Sequence, residues 1–205
     1  MSTTATYLET EVKFLAPDLA AWRAKLLAAG ASPASPRVFE RNVRYDNAWD
    51  GLQRKGQLLR LRQDARVRLT FKGIPLHSAA AEAKVREELE VTLSDFDTMA
   101  LLLNRLGFEP KQVYEKYRET FTLDGVEVVL DEMPFGEFLE LEGEETAIRA
   151  VAARLGLDWQ QRILDNYLMI MGRVKAAYAL AFDDLTFDNF RDLPVDVAAL
   201  FAGDA

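Results

Sequence analysis

An alternation of charged and apolar side chains recurs along the chain and constrains its fold more than any other feature. Successive side chains of an extended segment point to opposite faces, so the alternation divides each strand into a charged and an apolar face. Seven of the eight strands that we predict show this division. In the first, residues 7–14, the charged face carries Glu9, Glu11 and Lys13, and the apolar face carries Leu8, Val12 and Phe14.

The eight predicted strands are separated by turn signals and by amphipathic segments of helical spacing. Asp124-Gly125 is a typical hairpin turn. Residues 31–36, rich in serine and proline, are predicted to be a linker. The remaining strands are predicted at 37–46, 58–62, 66–72, 84–93, 111–122, 126–131 and 138–142, and the helices at 18–29, 94–106 with Ser94 as its cap, 144–155 and 159–171.

The amphipathic helices need an apolar surface to cover, and the apolar strand faces can supply it. If the helices cover the outside, the charged faces point inwards, and eight antiparallel strands can close around one small ligand. We therefore predict an α+β fold: a closed eight-stranded antiparallel β-barrel with a charged lumen, covered by helices, with a C-terminal helical extension. The lumen would hold Glu9, Glu11, Glu88, Glu90, Asp131, Glu140, Glu142, Lys13, Arg60, Arg62, Arg68, Lys72, Arg86, Lys116 and Arg118. The alternative is a helix-covered sheet whose charged face is solvated and carries incidental salt bridges.

Composition narrows the chemistry. The chain has no cysteine and a single histidine, His77, which excludes a thiolate site and a multi-histidine metal site; His77 lies in a predicted loop and is expected to be structural or incidental. No segment is long and apolar enough to be a transmembrane helix or a signal peptide, so we expect a cytoplasmic protein. The net charge is −8, yet residues 37–72 hold ten basic and four acidic residues. A basic region in an acidic chain suggests a small anionic ligand rather than nucleic acid.

The two signs of charge in one lumen suggest a metal-bound polyphosphate. Carboxylate oxygens suit Mg²⁺ or Mn²⁺, and arginine and lysine suit phosphate. A wet tunnel in which the charges offset each other would also avoid the cost of burying unpaired charge.

Several motifs resemble those of the CYTH superfamily, the triphosphate tunnel metalloenzymes. Residues 9–13 form an ExExK strand, Glu-Thr-Glu-Val-Lys, and further matches occur in family order over roughly residues 7–170. These matches are residues 59–62 (LRLR), 69–73 (LTFKG), 86–90 (REELE), 114–118 (YEKYR) and 130–142 (LDEMPFGEFLELE). The motifs at 86–90 and 131–142 look most similar to the class IV adenylate cyclase-like bacterial branch; thiamine triphosphatases and inorganic triphosphatases belong to the same superfamily.

The resemblance implies roles for the lumen residues. Two Mg²⁺ or Mn²⁺ ions would be held by Glu9, Glu11, Glu140 and Glu142, with Asp131 assisting. The triphosphate would be held by Lys13, Arg60, Arg62, Arg68, Lys72, Arg86, Lys116 and Arg118. Lys72, Glu88 and Glu90 are the candidate catalytic residues: Lys72 or a glutamate could deprotonate the nucleophile, and Glu88 and Glu90 could contribute to a second metal.

The resulting prediction is a metal-dependent hydrolase of a small triphosphate compound, either inorganic tripolyphosphate or an organic one such as thiamine triphosphate. A class IV adenylate cyclase, which forms cyclic AMP and pyrophosphate from ATP, would use the same residues. A non-catalytic polyphosphate- or RNA-binding module is the third alternative. We predict a tunnel domain at residues 1–172 and a tail at 173–205 packed on it, with no nucleic-acid or membrane partner; a homodimer stays an open alternative.

Overall fold

Eight antiparallel strands form a closed barrel in the computed structural model, which describes residues 8–74 and 82–201. The strands follow each other around the barrel in the order β1, β5, β4, β3, β2, β6, β7, β8, and β8 pairs with β1. The predicted α+β barrel is confirmed, and closure excludes the open sheet with a solvated charged face. The strands are β1 (Leu8–Leu15), β2 (Ser32–Asp46), β3 (Leu58–Gln63), β4 (Val67–Gly73), β5 (Lys84–Leu93), β6 (Glu109–Leu123), β7 (Val126–Met133) and β8 (Gly136–Glu142).

Within the described residues, five α-helices pack around the barrel: α1 (Leu19–Ala28), α2 (Phe96–Arg105), α3 (Glu145–Arg154), α4 (Tyr167–Tyr178) and α5 (Phe187–Phe190). Each begins at a side-chain cap, which satisfies a backbone N–H that has no partner within the helix. Asp18 accepts from the N–H of Ala21 at α1, and Asn166 accepts from that of Met169 at α4. None of the helices in the described part of the chain is long and apolar enough to cross a membrane.

The apolar faces of the strands point outwards and pack against these helices. Val12 and Phe14 of β1 are buried in a cluster with Leu26 of α1 and Ile148 of α3. A second cluster joins α2 to the outer side of β2–β4, and a third joins α4 and the C-terminal segment to one side of the barrel. The aromatic residues Phe182 and Phe190 belong to the third cluster.

Two C-terminal segments complete the barrel wall where neighbouring strands are too short. β5 pairs with β1 no further than Glu11, and beyond it the N–H and carbonyl of Lys13 bond to Ile163 at 3.1 and 2.7 Å. β7 pairs with β6 no further than Tyr117, and beyond it Leu185 bonds to Val113 and Glu115, both at 2.8 Å. These bonds satisfy backbone groups that the wall would otherwise leave unpaired.

Three local predictions were wrong: the linker, the cap of α2 and the last predicted helix. Residues 32–36 are not a linker but the start of β2, because register shifts around Ser35 accommodate the prolines, which cannot donate to a regular ladder. Helix α2 is capped by Asp95 rather than Ser94, since the Asp95 carboxylate accepts from the N–H of Thr98. His77 lies outside the described residues.

The last predicted helix, 159–171, is instead divided in two. A short 3-10 turn, Trp159–Gln161, is followed by the extended residues that reach Lys13, and α4 then begins after Asn166. α4 also continues through Gly172, where the predicted helix ended. A glycine inside a helix costs about 0.5–1 kcal/mol relative to alanine, which the packing of buried Ile170 and Val174 can offset.

Candidate functional site

The charged strand faces converge on a cavity of about 330 Å³ inside the barrel. Nine basic and seven acidic side chains line it, together with a few neutral ones. All the strands contribute except β2, and α4 contributes its cap and first turn, Asn166, Tyr167 and Leu168. The strand alternation thus brings charges from distant parts of the sequence into one enclosed space.

Lys13 binds the carboxylates of two neighbouring strands. Its Nζ lies 3.0 Å from Glu11 and 3.1 Å from Glu140, its direct cross-strand neighbour on β8. Burial favours the neutral amine, but Glu140 and Glu11 outweigh it and raise the pKa of Lys13 above its ordinary value. Lys13 therefore stays charged in the cavity and holds the two glutamates in place.

A second ion-paired group links β1, β4 and β5. Lys72 contacts Glu9, and its Nζ lies 3.0 Å from Glu88. Burial, with smaller contributions from Glu88 and Glu11, raises the pKa of Glu9 to about 7 despite the opposing charge of Lys72. The protein therefore only partly compensates the negative charge at Glu9.

Negative charge is least compensated at Glu142. Glu142 lies directly between Glu11 of β1 and Glu127 of β7 in the register of the sheet, and among the described residues it has no ion-pair partner. Burial, followed by Glu9 and Glu127, raises the pKa of Glu142 to about 8. A carboxyl group that the protein leaves without a cation is suited to an external one.

The arginines of β3 are held by side chains of other strands of the barrel wall. Arg60 donates to the hydroxyls of Thr70 at 3.2 Å and Tyr114 at 3.3 Å, and Arg62 donates to Asn42 at 3.1 Å. Arg86 donates to the backbone carbonyls of Gly56 and Gly73. Each guanidinium is thus fixed by the barrel wall while it also lines the cavity.

A charge network beside the cavity is centred on Asp131, which is fully buried. Asp131 accepts from Lys116 at 3.0 Å, from Nε of Arg118 at 2.7 Å and from the hydroxyl of Tyr167 at 2.8 Å. Lys116 also lies 3.7 Å from Glu40 on β2. Burial and the nearby Arg118 lower the pKa of Lys116, against the opposing effect of Asp131 and Glu40.

The structure brings fourteen of the fifteen predicted site residues to the cavity lining, and Asp131 is the exception. The side chain of Asp131 is fully buried and holds Lys116, Arg118 and Tyr167 instead. The roles that we predicted for all fifteen, in binding or catalysis, stay predictions.

Several charged or polar residues of the site were missed, among them Lys84, Glu127, Glu40 and Tyr167. Lys84 and Glu127 line the cavity, and their positions in phase with Arg86 and Asp131 were the available signal. Glu40 escaped notice because the alternation along β2 is irregular. Tyr167 lies on a helix, whose sequence pattern does not reveal where it docks.

The acidic side chains of the cavity supply suitable ligands for a divalent cation but do not form a complete site in the described part of the chain. Within residues 8–74 and 82–201, no group of three or more Asp, Glu or His side chains converges closely enough to form a complete metal site. Most of the acidic side chains are instead turned towards lysine or arginine. The donor chemistry nevertheless fits, because Glu142 and Glu9 present oxygen ligands whose negative charge the protein does not fully compensate.

Known proteins share this architecture. A protein of Methanocaldococcus jannaschii is 28% identical over 108 residues, which are 52% of this chain; the match spans only about 60% of that relative's length. A solved structure from Vibrio parahaemolyticus superimposes with a TM-score of 0.70 at 20% identity, over 82% of this chain and 99% of the other. Both carry the name "putative adenylate cyclase".

A third similar structure is that of a Hippeastrum protein, with a TM-score of 0.54 at 17% identity over 78% of this chain and 91% of the other. It is described as an adenylyl cyclase by name that has a dominant triphosphatase activity. The family model of the CYTH domain matches residues 8–160, about three quarters of the chain. The chain therefore belongs to the CYTH family.

Proposed function

We propose that this protein is a divalent-metal-dependent hydrolase of small triphosphate compounds. The observation that carries the proposal is the cavity inside the barrel, which nine basic and seven acidic side chains line together. Phosphate requires the basic groups, and a metal ion bound with it requires the acidic ones. Family membership supports an enzyme of this kind.

The size and position of the cavity favour a small ligand. About 330 Å³ lies within the barrel, with walls of paired backbone, and suits a chain of phosphates rather than a nucleic-acid strand. Binding of a polyanion alone would not need seven carboxylates beside the basic groups. The polyphosphate- or RNA-binding alternative therefore has less support.

Glu9, Glu11, Glu140 and Glu142 would hold the metal, although Glu140 is also paired with Lys13 at 3.1 Å. When bound, the metal would supply charge compensation for the triphosphate and would lower the pKa of a bound water. Arg60, Arg62 and Arg118 would bind phosphate oxygens, and their fixed positions orient the chain of phosphates.

Lys72 would neutralise charge on the triphosphate, and in doing so it would free a neighbouring carboxylate to accept a proton. It lies between Glu9 and Glu88, so a phosphate oxygen that approaches Lys72 would compete with both carboxylates. Release of Glu88 from Lys72 would leave a carboxylate free to accept a proton from water. Such catalysis consists mainly of positioning and charge stabilisation.

The test is a turnover assay with tripolyphosphate and ATP, each with Mg²⁺ or Mn²⁺. We expect orthophosphate from tripolyphosphate, and ADP with orthophosphate from ATP, in the parent protein. Glu11→Gln should abolish turnover, whereas Glu132→Gln, on the outside of the barrel and paired with Arg37, should not. A folded parent protein that releases no phosphate from either compound with either metal would refute the hydrolase.

The second candidate function is the adenylate cyclase. It is favoured by the names of the Methanocaldococcus and Vibrio relatives. Cyclisation would require the ribose 3′-hydroxyl, in place of water, to lie in line with the α-phosphorus. Cyclic AMP with pyrophosphate as the main product from ATP would identify this activity.

A further inference from the structure

A row of four charged residues crosses the barrel wall at one level. Lys84 of β5 lies directly opposite Glu11 of β1 in the register of the sheet. Glu11 in turn lies opposite Glu142 of β8, and Glu142 lies opposite Glu127 of β7. All four side chains line the barrel cavity. The row therefore contains three carboxylates and a single basic residue, Lys84.

Lys84 is held by one carboxylate. Its Nζ donates to Oε1 of Glu11 at 2.6 Å, and within residues 8–74 and 82–201 no second carboxylate lies within ion-pair distance of it. The side chain is 16% exposed, so it lies at the surface of the cavity rather than deep in the packed wall. Because a lysine carries a compact ammonium group on a flexible stem, Lys84 can leave Glu11 without a change in the backbone.

Lys13 binds the same oxygen of Glu11 but is held more firmly. Its Nζ lies 3.0 Å from Glu11 and 3.1 Å from Glu140, and its side chain is only 3% exposed. The ring of Tyr167, 5.4 Å from this Nζ, adds a cation–π contact. Displacement of Lys13 would disturb two buried carboxylates, whereas displacement of Lys84 breaks only its pair with Glu11. Of the two lysines, Lys84 is therefore the one that can be exchanged.

A divalent cation at Glu11 and the ammonium group of Lys84 oppose each other. Glu11 and Glu142 are direct cross-strand neighbours, and the Cβ atoms of such pairs are typically about 4.5–5.5 Å apart, so one cation can contact both carboxylates. At Glu11 this cation would meet the ammonium group of Lys84, and the two positive charges repel each other. Metal binding at Glu11 is therefore weakened as long as Lys84 stays paired there.

We propose that Lys84 is an internal counter-cation of the metal site, which a divalent cation must displace from Glu11 in order to bind. Lys84 thereby regulates the site, because its competition for Glu11 sets the concentration of metal at which the site fills. The inference rests on the proposed function, in which Glu11 is a metal ligand, and it adds a residue that controls when the metal can bind.

The first test is titration with Mn²⁺ alone, followed by electron paramagnetic resonance, in the parent, Lys84→Met and Lys84→Arg. Methionine resembles lysine in shape but has no charge. Lys84→Met should therefore bind Mn²⁺ about tenfold more tightly or better, because the metal no longer has to break a charge-assisted hydrogen bond. Lys84→Arg keeps the charge and the donor, and it should restore an affinity close to that of the parent.

A double-mutant cycle with Glu11→Gln separates competition for Glu11 from a long-range effect of charge. Arg86→Met is the matched control, because Arg86 lines the same cavity two residues further along β5 but donates to the carbonyls of Gly56 and Gly73 instead of a carboxylate. In the Glu11→Gln background, the gain in Mn²⁺ affinity from Lys84→Met should fall to about that from Arg86→Met. Arg86→Met should give the same gain in both backgrounds.

Thermal unfolding supplies a readout that also serves variants with weak metal binding. With EDTA, Lys84→Met should melt below the parent, because Glu11 loses a cation beside Glu142. The same change in the Glu11→Gln background should lower the melting temperature less. Saturating Mn²⁺ should raise the melting temperature of Lys84→Met by more than that of the parent, since the metal binds the variant more tightly. Equal destabilisation of Lys84→Met with and without Mn²⁺ would show a purely structural role and overturn the inference.

The outcomes separate this inference from the proposed function. An Mn²⁺ affinity that is unchanged in Lys84→Met, or that rises no more than in Arg86→Met, would overturn the inference while phosphate release from tripolyphosphate upheld the hydrolase. Absence of Mn²⁺ binding in both the parent and Lys84→Met would overturn it as well. Tighter binding in Lys84→Met and parent-like binding in Lys84→Arg, without release of phosphate by the parent, would support the inference and refute the hydrolase.

Discussion

The hydroxyl of Tyr167 donates a 2.8 Å hydrogen bond to Oδ2 of Asp131, which joins the first turn of α4 to the inside of the barrel. Asp131 is fully buried, and its carboxylate also holds Lys116 and Arg118. Helix α4 is therefore attached to the same carboxylate that positions Lys116 and Arg118, two basic residues of the cavity.

Tyr167→Phe should destabilise the protein. The change removes one of the donors to a buried carboxylate, and hydrogen bonds to charged groups contribute about 1.5–3 kcal/mol each. Urea denaturation of parent and variant measures the loss. Tyr117→Phe is the control, because no hydrogen bond of the Tyr117 hydroxyl is found within the described residues, and its effect should stay within about 0.5 kcal/mol. Equal losses in the two variants would contradict the proposed importance of the bond to Asp131.

Glu142→Gln and Glu140→Gln should have opposite effects on stability although the two residues lie on the same strand. Glu140 is paired with Lys13 and Arg118, so its neutralisation leaves buried cations uncompensated, at a cost of about 3–5 kcal/mol. Glu142 has no such partner among the described residues and lies near Glu9 and Glu127, so its neutralisation should maintain or raise the melting temperature.

Both variants should nevertheless lose metal binding. Titration with Mn²⁺, followed by electron paramagnetic resonance, measures it independently of turnover. A Glu142→Gln variant that melts well below the parent would show that Glu142 stabilises the fold. An unchanged Mn²⁺ affinity in Glu142→Gln would show that Glu142 does not bind the metal.

The alternation of side chains predicted the barrel because a closed barrel places the charged strand faces inside and the apolar strand faces against the helices. In β1, for example, Val12 faces the helices and Lys13 faces the cavity, as the period of two requires. The same argument failed where the period is irregular. β2 has register shifts at its prolines, so Glu40 could not be assigned to a face.

The sequence pattern could not predict contacts between distant segments. The period of α4 indicates an apolar face but not that Tyr167 docks against Asp131. A cavity of about 840 Å³ beside the barrel cavity is likewise assembled from the loop before β3, the start of β6 and α4, which are separated by more than fifty residues in sequence.

Glu40 should make the stability of the protein depend on pH. Burial opposes its charge, but Lys116 and Arg62, with Arg118 and Arg60 further away, lower the pKa of Glu40 from 4.5 to about 2. A carboxyl group with a lowered pKa contributes stability above its unfolded pKa and loses it as the pH falls towards the folded value. The shift corresponds to about 3 kcal/mol, present above about pH 4.5 and lost on the way to pH 2.

The measurement is the free energy of unfolding of the parent and of Glu40→Gln between pH 6 and pH 2. The parent should be the more stable at pH 6, and the difference should shrink by about 3 kcal/mol as the pH falls. Glu132→Gln is the control, since its pair with Arg37 is largely exposed and should contribute no more than about 1 kcal/mol. A difference that stays constant with pH would mean that Glu40 is not charged against Lys116 and Arg62.

Leu185→Ala tests whether the C-terminal segment is part of the barrel. Leu185 is fully buried, its N–H donates to the carbonyl of Val113, and its carbonyl accepts from the N–H of Glu115, so it extends the wall where β7 has ended. Removal of a buried leucine side chain costs about 2–5 kcal/mol, depending on how far the surroundings can close the cavity. Leu193→Ala, at a partly buried position of the same cluster, should cost less.

Urea denaturation should give one cooperative transition at a lower midpoint for Leu185→Ala, because the segment and the barrel unfold together. A separate early transition, or a free energy of unfolding lowered by less than about 1 kcal/mol, would instead indicate that the barrel is stable without the C-terminal segment.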